Sequence, residues 1–203
     1  MSFKRTESLN PQDFYPTPPW CYENLQIDWS QFKSAHEPCR GDGRIQEFLI
    51  DKGIPTTYSE IMEGKDFFNW NDNVDLILTN PPFSLLPRFA EHSIKHANTV
   101  MFLLRINYLG SIKRQKWWQD NPLAALHVIS KRPSFTGGGT DATEYAWFIW
   151  DNTDRIERGI FHTHKIPTSD QTAEANQMAY TTEELQSELT EYEIINSSEK
   201  NSS

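Results

Sequence analysis

Along most of the chain, apolar residues fall in short blocks divided by polar, glycine- or proline-bearing segments. The near-continuous runs in "VDLILTN", "NTVMFLLR", "LAALHVIS" and "TEYAWFIW" predict strands buried on both faces. Two shorter strands are expected upstream, at "FKSAHEP" and "PTTYSEI", which makes about six in all. Between strands the spacing changes to a helical one. In "CRGDGRIQEFLIDKG" a glycine turn runs into a helix with Ile45, Phe48 and Leu49 on one face, and Gly53 stops it. Further helices are expected over 19–32, with Trp20, Leu25 and Ile27 partly buried, and over 86–97. Strands alternating with helices predict an α/β fold with a mostly parallel sheet and helices on both faces. The last two strands are joined by "KRPSFTGGGTDA" without a helix, so an antiparallel edge is expected.

The flanks differ from this body. The first dozen residues are polar, and "DFYPTPPW" is too proline-rich for a helix or a central strand. From 166 to 203 the chain has eight acidic residues against one lysine. That predicts one domain over 1–165 followed by an acidic, disordered tail over 166–203. The net charge of −9 therefore misleads, since the body is close to neutral. Its bases cluster instead: Arg105, Lys113, Arg114 and Lys116, then Lys131 and Arg132, a strip able to meet phosphates. No run approaches the ~18 apolar residues of a membrane span, and no signal peptide is visible. Two cysteines, Cys21 and Cys39, make neither a disulfide framework nor a metal site, and a cytoplasmic setting is expected. His162 and His164 alternate without a third ligand, so no metal is expected.

Ligands of open α/β sheets sit beyond the carboxyl ends of the strands, and four unusual polar stretches fall at such ends. The first is "EPCRGDG". Gly41 and Gly43 permit a tight turn and close backbone approach, while Glu37 and Asp42 would repel a phosphate. The loop suits a cationic or hydroxylated ligand. Glu60 ends the second strand about 20 residues later, the offset at which an acid accepts from a ribose. Third is "GKDFF", where Asp66 could accept from an exocyclic amine and Phe67 or Phe68 could flank a purine.

The fourth is "TNPPF". Two prolines end the buried run in a rigid turn that holds the Asn80 amide still. Its carbonyl and that of Pro81 make two acceptors aimed at one region, with Phe83 beside them. A planar amine fits such a pair, and holding its protons makes its nitrogen more nucleophilic.

"EPCRGDG", "SE", "KDFF" and "TNPPF", in this order and spacing, resemble S-adenosylmethionine-dependent amino-methyltransferases, most of all the phage- and prophage-type DNA N6-adenine methyltransferases. The resemblance covers about residues 13–151, taking in "DFYPTPPW" and "RPSFTGGGTDATEYAWFIW". It implies a Rossmann-like class I methyltransferase fold, S-adenosylmethionine as cofactor and DNA as partner. Tyr15, Thr17, Pro18, Glu37, Cys39 and Gly41 would surround the methionine end, Glu60 the ribose, and Asp66 and Phe67 the adenine. Asn80, Pro81, Pro82 and Phe83 would form the catalytic turn, with Asn80 also close to the cofactor and Phe135 stacking on the target base. The cofactor loop precedes the Asn-Pro-Pro-Phe turn without a large insertion, which excludes the permuted arrangements.

Two features depart from the family pattern. Arg40 stands where a small residue is commoner, and no segment is large enough for a separate target-recognition domain. That role falls to residues 105–122 and 131–141. Arg105, Lys113, Arg114, Lys116 and Arg132 are the candidates for phosphate contact, and Trp117 or Trp118 for stacking. The same motif also serves amines of RNA and the amide of a protein glutamine, so these stay open. So does a non-catalytic cofactor-binding protein acting through its acidic tail.

Overall fold

The computed structural model describes residues 16–135 and 142–162. Tyr15, His164, the 136–141 part of the recognition loop and the expected tail over 166–203 lie outside the described residues. Seven strands form one sheet: β1 (Ala35–Glu37), β2 (Thr56–Tyr58), β3 (Val74–Thr79), β4 (Ala97–Arg105), β5 (Ala125–Val128), β6 (Tyr145–Asp151) and β7 (Gly159–His162). Their order is β2-β1-β3-β4-β6-β5-β7. Among the described residues four short α-helices accompany them: α1 (Trp20–Glu23), α2 (Arg44–Asp51), α3 (Leu86–His96) and α4 (Gln115–Asp120).

Why the apolar runs are nearly continuous is visible in β3, β4 and β6. Successive side chains of a strand point to opposite faces. Leu76, Leu78, Met101, Leu103, Trp147 and Ile149 join one buried cluster, which includes Trp20 and Cys21 of α1 and Ile45 and Leu49 of α2. Ile77, Val100, Phe102, Leu104, Phe148 and Trp150 join the other, with Phe89 and Ala90 of α3. Both faces are dry, so both registers must be apolar. The Trp147 indole N–H donates to the Cys21 carbonyl (2.8 Å), fastening α1 to the sheet.

Three expectations are corrected. The helix over 19–32 shrinks to α1 and a separate turn at Trp29–Gln31. Local polar side chains divide it: the Asn24 amide caps the Trp20 carbonyl (3.0 Å), and Asp28 takes the Ser30 amide (3.1 Å). The antiparallel strand is β6, but it is not the edge. It pairs antiparallel with β4 and β5, and β7 lies outside them, parallel to β5. β7 had no sequence signature because three of its four residues are exposed, so no apolar run marks it.

The chain passes from β1 to β2 on one side, then crosses to β3 on the other, where pairing with β1 is again parallel. The order therefore reverses between β1 and β3. In open α/β sheets such a reversal makes a crevice beyond the carboxyl ends of the strands, between the loops that follow them.

Candidate active site

The loop after β1 forms the acidic wall. Gly41 (φ 54°) and Gly43 (φ 86°) take left-handed backbone that other residues adopt at a cost, which is why this turn needs glycines. Glu60 bridges the ends of β1 and β2, one oxygen accepting from the Gly41 amide (2.7 Å) and the other from the Met62 amide (3.1 Å). Asp42 is ion-paired with Arg44 (2.5 Å). Arg40, the departure from pattern, is engaged by its own neighbours. It donates to Gln46 (3.0 Å) and Glu63 (2.7 Å), and its guanidinium covers the Tyr58 ring.

Glu37 is the exceptional residue of this wall. It is 1% exposed, and its Oε2 has no hydrogen-bond partner among the described residues. Burial, then the carboxylates of Asp42 and Glu60, push its pKa well up, against smaller opposing effects of the Gln46 amide and Arg40. A buried acceptor that the fold leaves unmatched is costly, and a cation placed there would relieve it. Cys39 stands beside it, its thiol pushed up by burial and by Glu60 and Glu37.

Across the crevice, β3 ends in Thr79 and the chain turns at Asn80, partly exposed, and Pro81, buried. Pro82 (φ −60°, ψ 122°) is extended and leads into a short turn at Phe83–Leu85 that becomes α3. Phe83 is half-buried and held on several sides. The Tyr108 hydroxyl donates to its carbonyl (2.7 Å), the Arg105 guanidinium lies 5.1 Å over its ring, and the Tyr145 ring is 6.3 Å away. Arg105 Nε in turn donates to the Tyr145 hydroxyl (2.9 Å), and Phe135 packs edge-on to Tyr145 at 5.1 Å. Phe135 is thus close to the turn, though buried behind Tyr145.

Tyr108 and Tyr145 escaped the sequence reading. Arg105 and Tyr145 are directly opposite partners in the β4–β6 register, so the antiparallel pairing would have exposed the second of them. Tyr108 had no such signal.

Other candidates are spread along the same end of the sheet. Asp66 accepts from the Phe68 amide (3.0 Å) and begins a short turn. Phe67 is buried, stacked with His36 (5.7 Å) and Phe89 (5.1 Å), while Phe68 lies under the Arg88 guanidinium. Thr17 and Pro18 are buried, and the Pro18 carbonyl accepts the first amide of the α1 turn, from Cys21 (2.9 Å).

The basic strip resolves into different jobs. Arg105 serves Phe83 and Tyr145, and Arg114 donates to the carbonyls of Tyr108 (3.2 Å) and Gly110 (3.0 Å). Lys116 pairs with Asp120 (2.9 Å), Arg132 is exposed, and Lys113 is exposed next to Ile112. Trp117 and Trp118 pack on Trp150, at 5.9 and 6.1 Å, so both take part in helix packing while staying half-buried. Among the described residues no group of three potential ligands could hold a metal, and no helix is long and apolar enough to cross a membrane.

Neither a protein-family model nor a curated protein matches the sequence. The structure is similar to that of a candidate RNA methyltransferase from Pyrococcus horikoshii: 14% identity over 70% of this chain and 88% of that one, TM-score 0.54. Looser likenesses are to a candidate class I S-adenosylmethionine-dependent methyltransferase from Listeria monocytogenes (12% identity, 70% and 62% covered, TM-score 0.49) and to a modification subunit of a candidate type I restriction enzyme from Vibrio vulnificus (13%, 68% and 44%, TM-score 0.45). At such identities a likeness speaks for architecture alone. The chain has the Rossmann-like, mostly parallel methyltransferase-type fold, with one antiparallel strand between parallel neighbours.

Proposed function

We propose that the chain transfers a methyl group from S-adenosylmethionine to the N6 amine of adenine in DNA, acting on a base turned out of the stack. The observation that carries this is the Asn80-Pro81-Pro82-Phe83 turn standing across a strand-order reversal from the acidic glycine loop that begins at the buried Glu37. The residues present fit the cofactor. The unmatched Oε2 of Glu37 suits its ammonium, and the glycine turn lets backbone approach its methionine end together with Cys39, Thr17 and Pro18. Each Glu60 oxygen accepts one amide and keeps a lone pair for a ribose hydroxyl. Asp66 serves the adenine, with Phe67, its buried neighbour, fixing the turn that carries it. When bound, S-adenosylmethionine supplies an electrophilic methyl carbon.

The chain's own part is to hold the acceptor amine. Asn80 Oδ1 and the Pro81 carbonyl accept its two N–H groups and localise its lone pair towards the crevice, which strengthens as positive charge develops on nitrogen. Phe83 supports the base and is itself pinned by Arg105 and Tyr108. After transfer the surplus proton leaves from the amine to water. No covalent bond to the protein is needed; positioning supplies the acceleration. Residues 1–165 are taken as the catalytic domain and 166–203 as an acidic tail.

Nucleoside mass spectrometry tests this. The chain and S-adenosylmethionine are incubated with unmethylated duplex DNA, single-stranded DNA and RNA, with Asn80→Ala as control. N6-methyladenine in DNA that vanishes in the variant is the expected result. Product in RNA alone moves the same chemistry to another polymer, one for which the likeness to a candidate RNA methyltransferase gives the motive. No product on any polymer, with cofactor binding intact, rejects the nucleic-acid enzyme in favour of a protein amide or a binding role.

A further inference from the structure

Ile112 is 92% exposed, the most exposed of the large apolar side chains among the described residues. An isoleucine left in water forfeits roughly 2 kcal/mol of burial, but single exposed aliphatics are ordinary. What sets this one apart is the segment that presents it. Between β4 and α4 the chain makes two tight turns, Ile106–Leu109 and Ile112–Arg114, with Gly110 and Ser111 between them.

Short as it is, this spur is clamped from within. The Tyr108 carbonyl accepts from Arg114 Nε (3.2 Å) and from the Trp118 indole (3.1 Å), and the Gly110 carbonyl from Arg114 Nη2 (3.0 Å). Its root is tied to the catalytic turn by the Tyr108 hydroxyl on the Phe83 carbonyl (2.7 Å). The spur is thus rigidly coupled to the place proposed to receive the base. From 105 to 116 the sequence, "RINYLGSIKRQK", has four bases and no acid, and Lys113, beside the tip, is exposed. Leu109, 41% exposed, adds a second apolar residue on the same spur.

Turning a base out of a duplex leaves a gap and forfeits stacking, a cost of a few kcal/mol that falls on the enzyme. Apolar side chains that enter between base steps recover contact and keep the gap open. A β-branched isoleucine is suited to this, since its stiff χ1 leaves little rotamer freedom to lose. We propose that Ile112 is the wedge: it occupies the space the target adenine vacates, with Lys113 on the neighbouring phosphate. This rests on the reading of DNA adenine as substrate.

The test compares Ile112→Ala and Ile112→Leu with the unaltered chain on three substrates of one sequence, carrying the site mapped by the methylation assay. These are the matched duplex, the single strand, and a duplex with an abasic position opposite the target. At 92% exposure the substitution leaves the fold alone, and unchanged S-adenosylmethionine affinity verifies it. Ile112→Ala is expected to slow single-turnover methylation of the matched duplex about tenfold, the scale of lost stacking. The single strand and the abasic duplex should change less than about twofold, because neither asks for a wedge. The fluorescence rise of 2-aminopurine at the target position should shrink in parallel, and Ile112→Leu should restore both. Equal loss on all three substrates, or no loss on the matched duplex, overturns the wedge while leaving the methyltransferase reading intact. So does an unaltered chain that methylates single strands and no duplex. An unaltered chain inert on every DNA overturns both together.

Discussion

The two walls of the crevice are built on opposite principles. After β3, the turn is braced: Pro81 is buried, and Phe83 is held by Tyr108 through its carbonyl and by Arg105 over its ring. After β1, the wall is left in electrostatic debt, with Glu37 buried, one oxygen unmatched, and Asp42 and Glu60 nearby to make matters worse. A neutral planar amine needs acceptors held still, so rigidity is the requirement at the turn. An ammonium-bearing cofactor needs a charge deficit to fill, so strain in the apo protein becomes affinity in the complex. The same sheet can support both because each wall is a loop on a different strand.

The most severe way to break this comparison is Asn80→Ala. Removing an acceptor that acts chiefly as charge develops should lower the single-turnover rate constant by roughly 10²–10³-fold. S-Adenosylmethionine affinity, measured by calorimetry, should move only a few-fold. A parallel collapse of both would show that the turn belongs to the cofactor wall. Glu37→Gln should do the reverse. Cofactor binding should weaken about 30-fold through the lost charge partner, while the cofactor-free protein becomes more stable, because a buried acid with an unmatched oxygen has been replaced by a neutral amide. The sign follows from linkage. Glu37 has a folded pKa raised above its unfolded value, so its favourable contribution is fully present below the unfolded pKa and is lost as pH rises through the folded one. Thermal melts should therefore show the cofactor-free chain losing stability with rising pH in this range, and Glu37→Gln losing less. Cofactor affinity should rise over the same interval, with proton release detectable as a buffer-dependent heat. A variant that is destabilised and still binds normally would reassign Glu37 to structure.

Much of this was legible in the residues. The strands β3, β4 and β6 were readable because both faces are dry, and the acidic glycine loop and the Asn-Pro-Pro-Phe turn are contiguous motifs whose chemistry is local. What was hidden depends on partners far apart in the chain. Tyr145 meets Arg105 across 40 residues, and its position follows only from an antiparallel register that no local pattern specifies. Arg114 looked like a phosphate contact because composition shows a charge but not the carbonyls of Tyr108 and Gly110 that engage it. The Trp117–Trp118 pair was ambiguous for the same reason until Trp150 came into view.

His36 sharpens the comparison from below, since it lies on β1, the strand that leads into the acidic wall, yet has both ring nitrogens matched. It is fully buried, with its ring nitrogens on the hydroxyls of Thr57 (2.8 Å) and Ser59 (3.0 Å), and stacked 3.9 Å from Trp70. Burial, with a smaller push from His92, lowers its pKa to about 3. A folded pKa below the unfolded one means the neutral ring's contribution is whole above the unfolded value and drains as pH falls towards the folded one. Between pH 7.5 and 5.5 this should cost about 1.4 kcal/mol, a tenfold change in the folding constant. His92 and His127 shift in the same direction, whereas Glu37 opposes them, so urea melts belong in the Glu37→Gln background. Ring-proton NMR isolates the residue: the His36 signal should stay flat to pH 4.5, and a midpoint near 6 would refute its buried, neutral state.

The smallest expected effect probes how far the rigidity of the turn extends. Tyr145→Phe removes only the hydroxyl that accepts from Arg105 Nε, leaving the ring against Phe83 and Phe135. If Arg105 is held over Phe83 partly by that bond, its loss lets the guanidinium wander and loosens the support of the incoming base. A hydrogen bond to a charged group contributes about 1.5–3 kcal/mol, but here the stacked rings and the Phe83–Tyr108 bond remain, so a loss of about threefold in kcat is expected, with cofactor affinity unchanged. The loss should fall on kcat more than on KM, because a better-held base matters most where the amine reacts. A rate equal to that of the unaltered chain would confine the rigid wall to Asn80-Pro81-Pro82-Phe83 and Tyr108. A loss as deep as that of Asn80→Ala would instead place Tyr145 among the groups that touch the reacting base, and the second wall of the crevice would then have to be drawn from β6 as well as β3.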